Sequence, residues 1–234
     1  MKNEVRAPLT LPDVPPLPPP DDLGARLAEL GVTLDDAAVT TLGAFLARLL
    51  AMNAQMNLTA ITDPAEAWTR HALDALSLVP KLRSVGAAPK VVDVGSGGGV
   101  PAIPLAIACP EARFTLVEAT QKKAHFLEEV AAALGLGNVR VVAERAEQAI
   151  ASPLRGSFDV VTARAVGRLA SLLRITAPFA RRGGTLLLVK GQRADEEIAE
   201  ARYVLKSQHL EHRETVLTPT GRIVVLVKNP PPPR

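Results

Sequence analysis

Residues 91–106 read VVDVGSGGGVPAIPLA: a valine-rich run passes through an acid, Asp93, into nearly bare backbone and returns to apolar chain. Gly95, Gly97 and Gly99 let the main chain approach a ligand closely, and the helix expected after them offers free N–H groups. A dinucleotide fingerprint would need glycine at 100, where this chain has Val100 followed by Pro101. A G-x-x-x-x-G-K-[ST] phosphate loop is absent too, and Lys90, the lysine nearby, lies upstream. Asp93 repels an anion but suits a cation or a zwitterion. A second acid, Glu118, closes the next apolar run, FTLVEA, where such folds place the carboxylate that takes the two hydroxyls of a ribose. A nucleoside with a positively charged amino-acid tail satisfies both acids, and S-adenosylmethionine is such a molecule. The competing reading is a tight turn demanded by packing alone.

The elements that position this loop follow from periodicity. Residues 1–20 are crowded with proline and predict a disordered or extended arm. From Asp21 the pattern is helical: DDLGARLAEL comes first, then a longer helix beginning near Thr33, with Thr33 as its cap and Asp36 three residues on. Leu42, Phe45, Leu46, Leu49, Leu50 and Met56 share one face of it. A third helix starts at Asp63-Pro64 and turns Trp68, Ala72, Ala75, Leu76 and Val79 inward. After Pro89, apolar runs alternate with helical segments, which implies a mostly parallel sheet covered on both faces. The chain closes with two strands, HLEHRETVLT and GRIVVLVKN, joined by a short turn, and a proline tail expected to be solvated. The reading is therefore an α/β, Rossmann-like fold with a C-terminal hairpin over residues 89–234. A helical extension over 21–88 and the arm over 1–20 precede it.

Composition narrows the class. The chain has 234 residues, 47% hydrophobic and 22% charged, as ordinary globular proteins do. A single cysteine excludes an internal disulfide framework and a multi-cysteine zinc site, and no metal is expected. No uninterrupted apolar run of about 18 residues predicts a membrane span. The start MKNEVRAPLTLPDVPP has no apolar core of the secretory kind. These features point to the cytoplasm. A net charge of +3 permits a polyanionic partner, and with aromatics at 3% a nucleic acid would be held by its backbone rather than by base stacking.

D-V-G-S-G-G-G-V-P, then LVEATQKKAHFLEEV, RAEQ, FDVVTARAV and LLLVKGQ, with N-L-T-A-I and W-T-R-H-A-L-D upstream, closely resemble the bacterial RsmG (GidB) family over residues 50–230. The resemblance implies a class I methyltransferase, a seven-stranded sheet, and S-adenosylmethionine as cofactor. It implies as substrate N7 of one guanine of 16S ribosomal RNA, position 527 in the usual count. Carried onto this chain, the cofactor contacts fall on Gly95, Val100, Glu118, Ala146, Glu147 and Arg164. Ala102 and Ala75 stand where many members have glycine and serine.

The residues present suit that chemistry. Guanine N7 exposes a lone pair and needs no proton removed, so no general base is required and no catalytic residue is assigned. T-A-R-A-V stands where an exocyclic-amine methyltransferase has N/D-P-P-Y/F, and the late N-P-P-P lacks an aromatic. Cys109, before Pro110, is expected to be a packing residue rather than the nucleophile of carbon-5 methylation. RNA contact is expected from cations near the strand ends: Lys122, Lys123, Arg168, Lys190 and Arg193, with Arg70 and His71 upstream. His71 reads equally well as a structural histidine. Asn57 and Thr59 could hydrogen-bond a base or fix the chain after the second helix, and the structural role is the favoured reading. The partner would be 16S RNA or the small ribosomal subunit, and the protein a monomer. Two rivals stay open: the same fold with a small-molecule or protein acceptor, and a non-enzymatic RNA-binding module.

Overall fold

The computed structural model describes residues 9–164 and 167–229. Residues 1–8 of the proline-rich start, Ala165 and Val166 of T-A-R-A-V, and the proline tail at 230–234 lie outside the described residues. Residues 9–20 form neither helix nor strand, as proline demands. Leu9, Leu11 and Leu17 pack on the core, and the Leu17 N–H donates to the Gly43 carbonyl at 3.1 Å.

The helical layer comprises α1 (Leu23–Glu29) and α2 (Asp36–Met56), then α3 (Pro64–Ala67), a π-helical turn (Trp68–Leu73), α4 (Asp74–Leu76) and α5 (Val79–Val85). The long helix starts later than Thr33 because Asp35 caps it, accepting from the Ala38 N–H at 2.7 Å. Asp63 caps α3 as its sequence predicts, accepting from the Glu66 N–H at 2.8 Å. By length and composition α2 has what crossing a membrane requires, at 21 residues and mean hydropathy 1.4. Here it is a core helix, with Leu42, Phe45, Leu46 and Leu49 fully buried.

The rest is strand and helix in alternation: β1 (Lys90–Val94), α6 (Ala102–Ala108), β2 (Arg113–Val117), α7 (Gln121–Ala133), β3 (Val139–Val142) and α8 (Ala146–Ala149). There follow β4 (Phe158–Arg164), α9 (Leu169–Thr176), β5 (Ala180–Lys190), α10 (Ala194–Glu200), α11 (Arg202–Ser207), β6 (Leu210–Leu217) and β7 (Arg222–Lys228). The strands form one seven-stranded sheet in the order β3-β2-β1-β4-β5-β7-β6. β1 to β5 are parallel, and β7 runs antiparallel between β5 and β6, giving the expected C-terminal hairpin.

Strand alternation divides the core in two and decides where the polar residues go. Val91, Val160, Leu187 and Val189 face the helical layer and share a core with Phe45, Leu49 and Trp68. Val92, Val161, Ala163, Leu186 and Leu188 face α9 to α11. Asp93, Thr162 and Arg164 have the parity of the first set and emerge toward the helical layer. Lys190 has the parity of the second and emerges toward α10.

Candidate active site

The glycine loop leaves β1 at its carboxyl end, the edge at which doubly wound sheets bind ligands. Asp93 and Thr162 are register partners on neighbouring strands, so their side chains stand side by side on one face. The Thr162 hydroxyl donates to Asp93 Oδ1 at 2.7 Å, while Asp93 Oδ2 is buried and has no partner among the described residues. With Asp93 1% exposed, burial above all pushes its carboxyl up from the ordinary 3.8 to about 6, against the hydrogen bond from Thr162. The acid expected beside the ligand thus lies buried at the end of β1, with one carboxyl oxygen unpartnered among the described residues.

Glu118 secures the loop from the next strand. Its Oε2 accepts from the Gly97 N–H at 2.8 Å and its Oε1 from the Thr120 N–H at 2.7 Å. Gly95 has a φ of +75°, in the left-handed region, and a Cβ built on it meets nothing within 4 Å. Its backbone therefore borders open space. At Gly98 the opposite holds: a Cβ would come within 2.8 Å of Leu49 Cδ1 and 3.2 Å of the Leu58 carbonyl oxygen, so the missing side chain lets the end of α2 close over the loop. Gly99 packs against Ile103 and Leu127, and Val100 is 7% exposed. Ala146 and Glu147 open α8 beyond β3, the former half-buried and the latter exposed.

A cleft of about 600 Å³ lies between this loop and the helical layer, and Thr59, His71, Gly95, Gly97, Val100 and Arg164 line it among others. A hollow of about 650 Å³ at Lys90, Arg113, Val139 and Phe158 opens instead at the strand starts, away from both acids. Arg164, directed to the helical layer by strand parity, donates from Nη1 to the Arg70 carbonyl at 3.0 Å and meets His71 Nδ1 at 3.1 Å. His71 Nε2 lies 2.8 Å from Thr59 Oγ1. Burial first, then Arg164, holds the imidazole down at about 4, so it is neutral. Both of its ring nitrogens are engaged, and it has no lone pair to offer as a base. Its position on the π-helical turn is a feature that no apolar spacing signals.

The expected cations separate. Lys122, Arg168 and Arg193 are exposed at this edge, with Arg193 paired to Glu196 at 2.8 Å and Arg168 4.0 Å from Glu200. Arg70 pairs with Glu66 at 2.9 Å, and Lys123 donates to the Asn57 carbonyl at 3.2 Å. Lys190 departs from the expected phosphate track. It is 6% exposed, and its ammonium is spent on Glu197 at 2.8 Å and the Gly167 carbonyl at 2.7 Å. Glu197 also accepts from the Leu169 N–H at 2.7 Å, so Lys190 fastens β5 to α9 and α10. Asp74, on the face of the helical layer, accepts from both the N–H and the hydroxyl of Thr220 and ties that layer to the β6–β7 turn. Cys109 is buried and its thiol is pushed up to about 11, chiefly by burial, so it supplies no thiolate.

Comparison with known proteins agrees with this geometry. The family described as rRNA small subunit methyltransferase G (GidB) matches residues 38–223. The protein named ribosomal RNA small subunit methyltransferase G from Sorangium cellulosum is 57% identical over 234 residues, covering 100% of this chain and 98% of its own. Its match runs through the proline-rich start. The protein of the same name from Stenotrophomonas maltophilia strain K279a is 47% identical over 174 residues, 74% of this chain and 78% of its own. Among solved structures, cofactor-bound Rv0187 from MTB superposes with a TM-score of 0.57 at 23% identity, covering 91% of this chain and 99% of its own. A SAM-dependent methyltransferase from Aquifex aeolicus gives 0.53 at 17% identity, over 70% and 93%. Those two likenesses establish the fold as that of the class I methyltransferases. Sheet order, glycine loop and a family match over most of the sequence converge, and the chain belongs to the rRNA small subunit methyltransferase G (GidB) family.

Proposed function

We propose that this chain transfers the methyl group of S-adenosylmethionine to N7 of guanine 527 of 16S ribosomal RNA, as a cytoplasmic monomer acting on the RNA or the small subunit. One observation carries the choice of N7: the imidazole in the cleft has both nitrogens committed and is held neutral at about 4. An acceptor that must lose a proton would need a base there. Guanine N7 needs none.

The residues present fit the cofactor. Asp93 Oδ2, buried and unpartnered, is matched to the positive charge of the amino-acid tail, and the open face of Gly95 leaves room for it. Arg164 is placed to take the tail carboxylate with the guanidinium nitrogens that His71 and Arg70 leave free. Glu118 would accept from the ribose, Gly97, Gly99 and Val100 would border the nucleoside, and Ala146 and Glu147 the adenine. When bound, the cofactor supplies a methyl group on sulfonium, a strong electrophile that needs no further activation. The chain's task is then orientation, for which residues 89–234 provide the cofactor side and residues 21–88 the acceptor side. Lys122, Arg168 and Arg193 would follow the phosphates, with Arg70 nearer the cleft and Lys123 at its rim, and binding would fall steeply with salt. The test is transfer of labelled methyl from S-adenosylmethionine to 16S RNA and to small subunits from cells lacking the endogenous enzyme. Incorporation supports the reading, and none with cofactor binding intact overturns the assigned acceptor.

A further inference from the structure

Thr59 sits where the helical layer meets the glycine loop. The chain leaves α2 through Asn57 in the left-handed region, Leu58 lies against Gly98, and Asn53 Oδ1 accepts from the Thr59 N–H at 2.8 Å. Thr59 is thereby fixed at the wall of the cleft, and its hydroxyl is fixed further by its neighbours.

The protons around it can be assigned in order. A guanidinium only donates, so the two hydrogens on Arg164 Nη1 go to the Arg70 carbonyl and to His71 Nδ1. A neutral imidazole whose Nδ1 accepts carries its hydrogen on Nε2 and donates it to Thr59 Oγ1, 2.8 Å away. The Ile61 N–H donates to the same oxygen at 3.0 Å. Both lone pairs of Oγ1 are then filled. Its one hydrogen has no acceptor among the described residues, and the side chain borders the cleft. A threonine hydroxyl ordinarily donates or accepts as its partner requires; here the relay from Arg164 through His71 leaves it able only to donate.

We propose that Thr59 is a specificity-determining residue, donating its hydroxyl hydrogen to O6 of the target guanine and so selecting the base whose N7 is methylated. This rests on the N7 reading. Guanine presents two adjacent acceptors on that edge, N7 and O6, whereas adenine presents N7 beside an N6 amino donor. The obligate donor matches guanine and opposes adenine. Thr59 also holds the turn after α2 through Ile61, so one side chain carries both the structural role its sequence context suggests and this recognition.

The test uses the full chain and small subunits reconstituted with guanine, inosine or 2-aminopurine at the target position. Inosine keeps O6 and N7, and 2-aminopurine keeps N7 but lacks O6. Wild-type kcat/KM should be similar for guanine and inosine and lower for 2-aminopurine by roughly tenfold or more. Thr59→Val should lose about tenfold more on guanine than on 2-aminopurine, so the ratio between the two falls toward one, and Thr59→Ser should restore it. A merely structural threonine would lower both substrates together, and the comparison between enzymes cancels the intrinsic reactivity of the analogue. A guanine to 2-aminopurine ratio unchanged in Thr59→Val overturns the proposal. So does a wild-type enzyme that methylates 2-aminopurine as well as guanine, a result that needs no variant to fold. If the wild type binds S-adenosylmethionine yet modifies no guanine N7, the reading beneath the proposal fails and takes it down too.

Discussion

Replacing Asp93 by Asn should leave the fold intact, alter how stability depends on pH, and weaken the cofactor. The carboxyl is 1% exposed and is pushed from 3.8 up to about 6, mainly by burial. A carboxyl raised on folding gives a contribution fully present below the unfolded value and lost as pH rises through the folded one. The shift is worth roughly 3 kcal/mol in full, most of which is expressed between pH 4 and pH 8. Asn keeps the acceptor for Thr162 and cannot ionise. Urea unfolding of both proteins across that range should therefore show Asp93→Asn gaining on the wild type by roughly 2 kcal/mol from pH 4 to pH 8. The change in that difference matters, because any fixed cost of the buried amide cancels from it. The wild-type curve alone would mislead, since His71 acts in the opposite sense over the same range. Calorimetry should show S-adenosylmethionine binding weakened roughly ten- to a hundredfold, the value of a buried charge-assisted contact of about 1.5–3 kcal/mol. A stability difference independent of pH would refute the account of Asp93 as a strained, buried acid, and unchanged affinity would remove it from the cofactor site.

The same logic with reversed sign applies to His71. Its pKa is held down from 6.5 to about 4, so its contribution is present above 6.5 and lost as pH falls through 4. The wild type should lose about 3 kcal/mol relative to His71→Gln between pH 8 and pH 4, measured by the same unfolding series; parallel curves would contradict a neutral buried imidazole. Gly95→Asp puts a side chain and a negative charge where the backbone now borders open space, at a φ of +75°. It should abolish cofactor binding in calorimetry at a stability cost of about 1–2 kcal/mol, and normal binding would mean that the loop is not the site. Glu118→Gln replaces one of two acceptors by an amide that faces the N–H of Gly97 or Thr120. The loop should loosen by about 1–3 kcal/mol, seen as faster hydrogen exchange at Gly97 and at least tenfold weaker cofactor binding; unaltered exchange would contradict the clamp.

Much of this was legible in the sequence because it rests on local rules. Valine-rich runs alternating with helical segments specify the parallel sheet, Asp63-Pro64 marks a helix start, and two strands without a helix between them mark the hairpin. The beginning of α2 was less legible, since Thr33 with Asp36 fits the capping pattern while the cap that forms is Asp35, through its bond to Ala38. The π-helical turn was hidden because Trp68, Ala72 and Ala75 fit ordinary helical spacing. The polar wiring of the site was not legible either, for it depends on register between distant strands. Asp93 reads as an acid beside the ligand, and its bond to Thr162, 69 residues on, shows only when the two strands are set side by side. Arg164 and Lys190 both end strands beside the cleft, yet the first faces the helical layer and the second is consumed by Glu197 on the other face. Side-chain parity separates them, and parity becomes usable only once the sheet order places both strands.

The most direct measurement is the identity of the methylated atom. Small subunits lacking the modification would be incubated with the full chain and S-adenosylmethionine, and the RNA mapped by cleavage at 7-methylguanine. The account predicts a single cleavage at guanine 527. Methyl incorporation without 7-methylguanine, or 7-methylguanine elsewhere in the RNA, would contradict it.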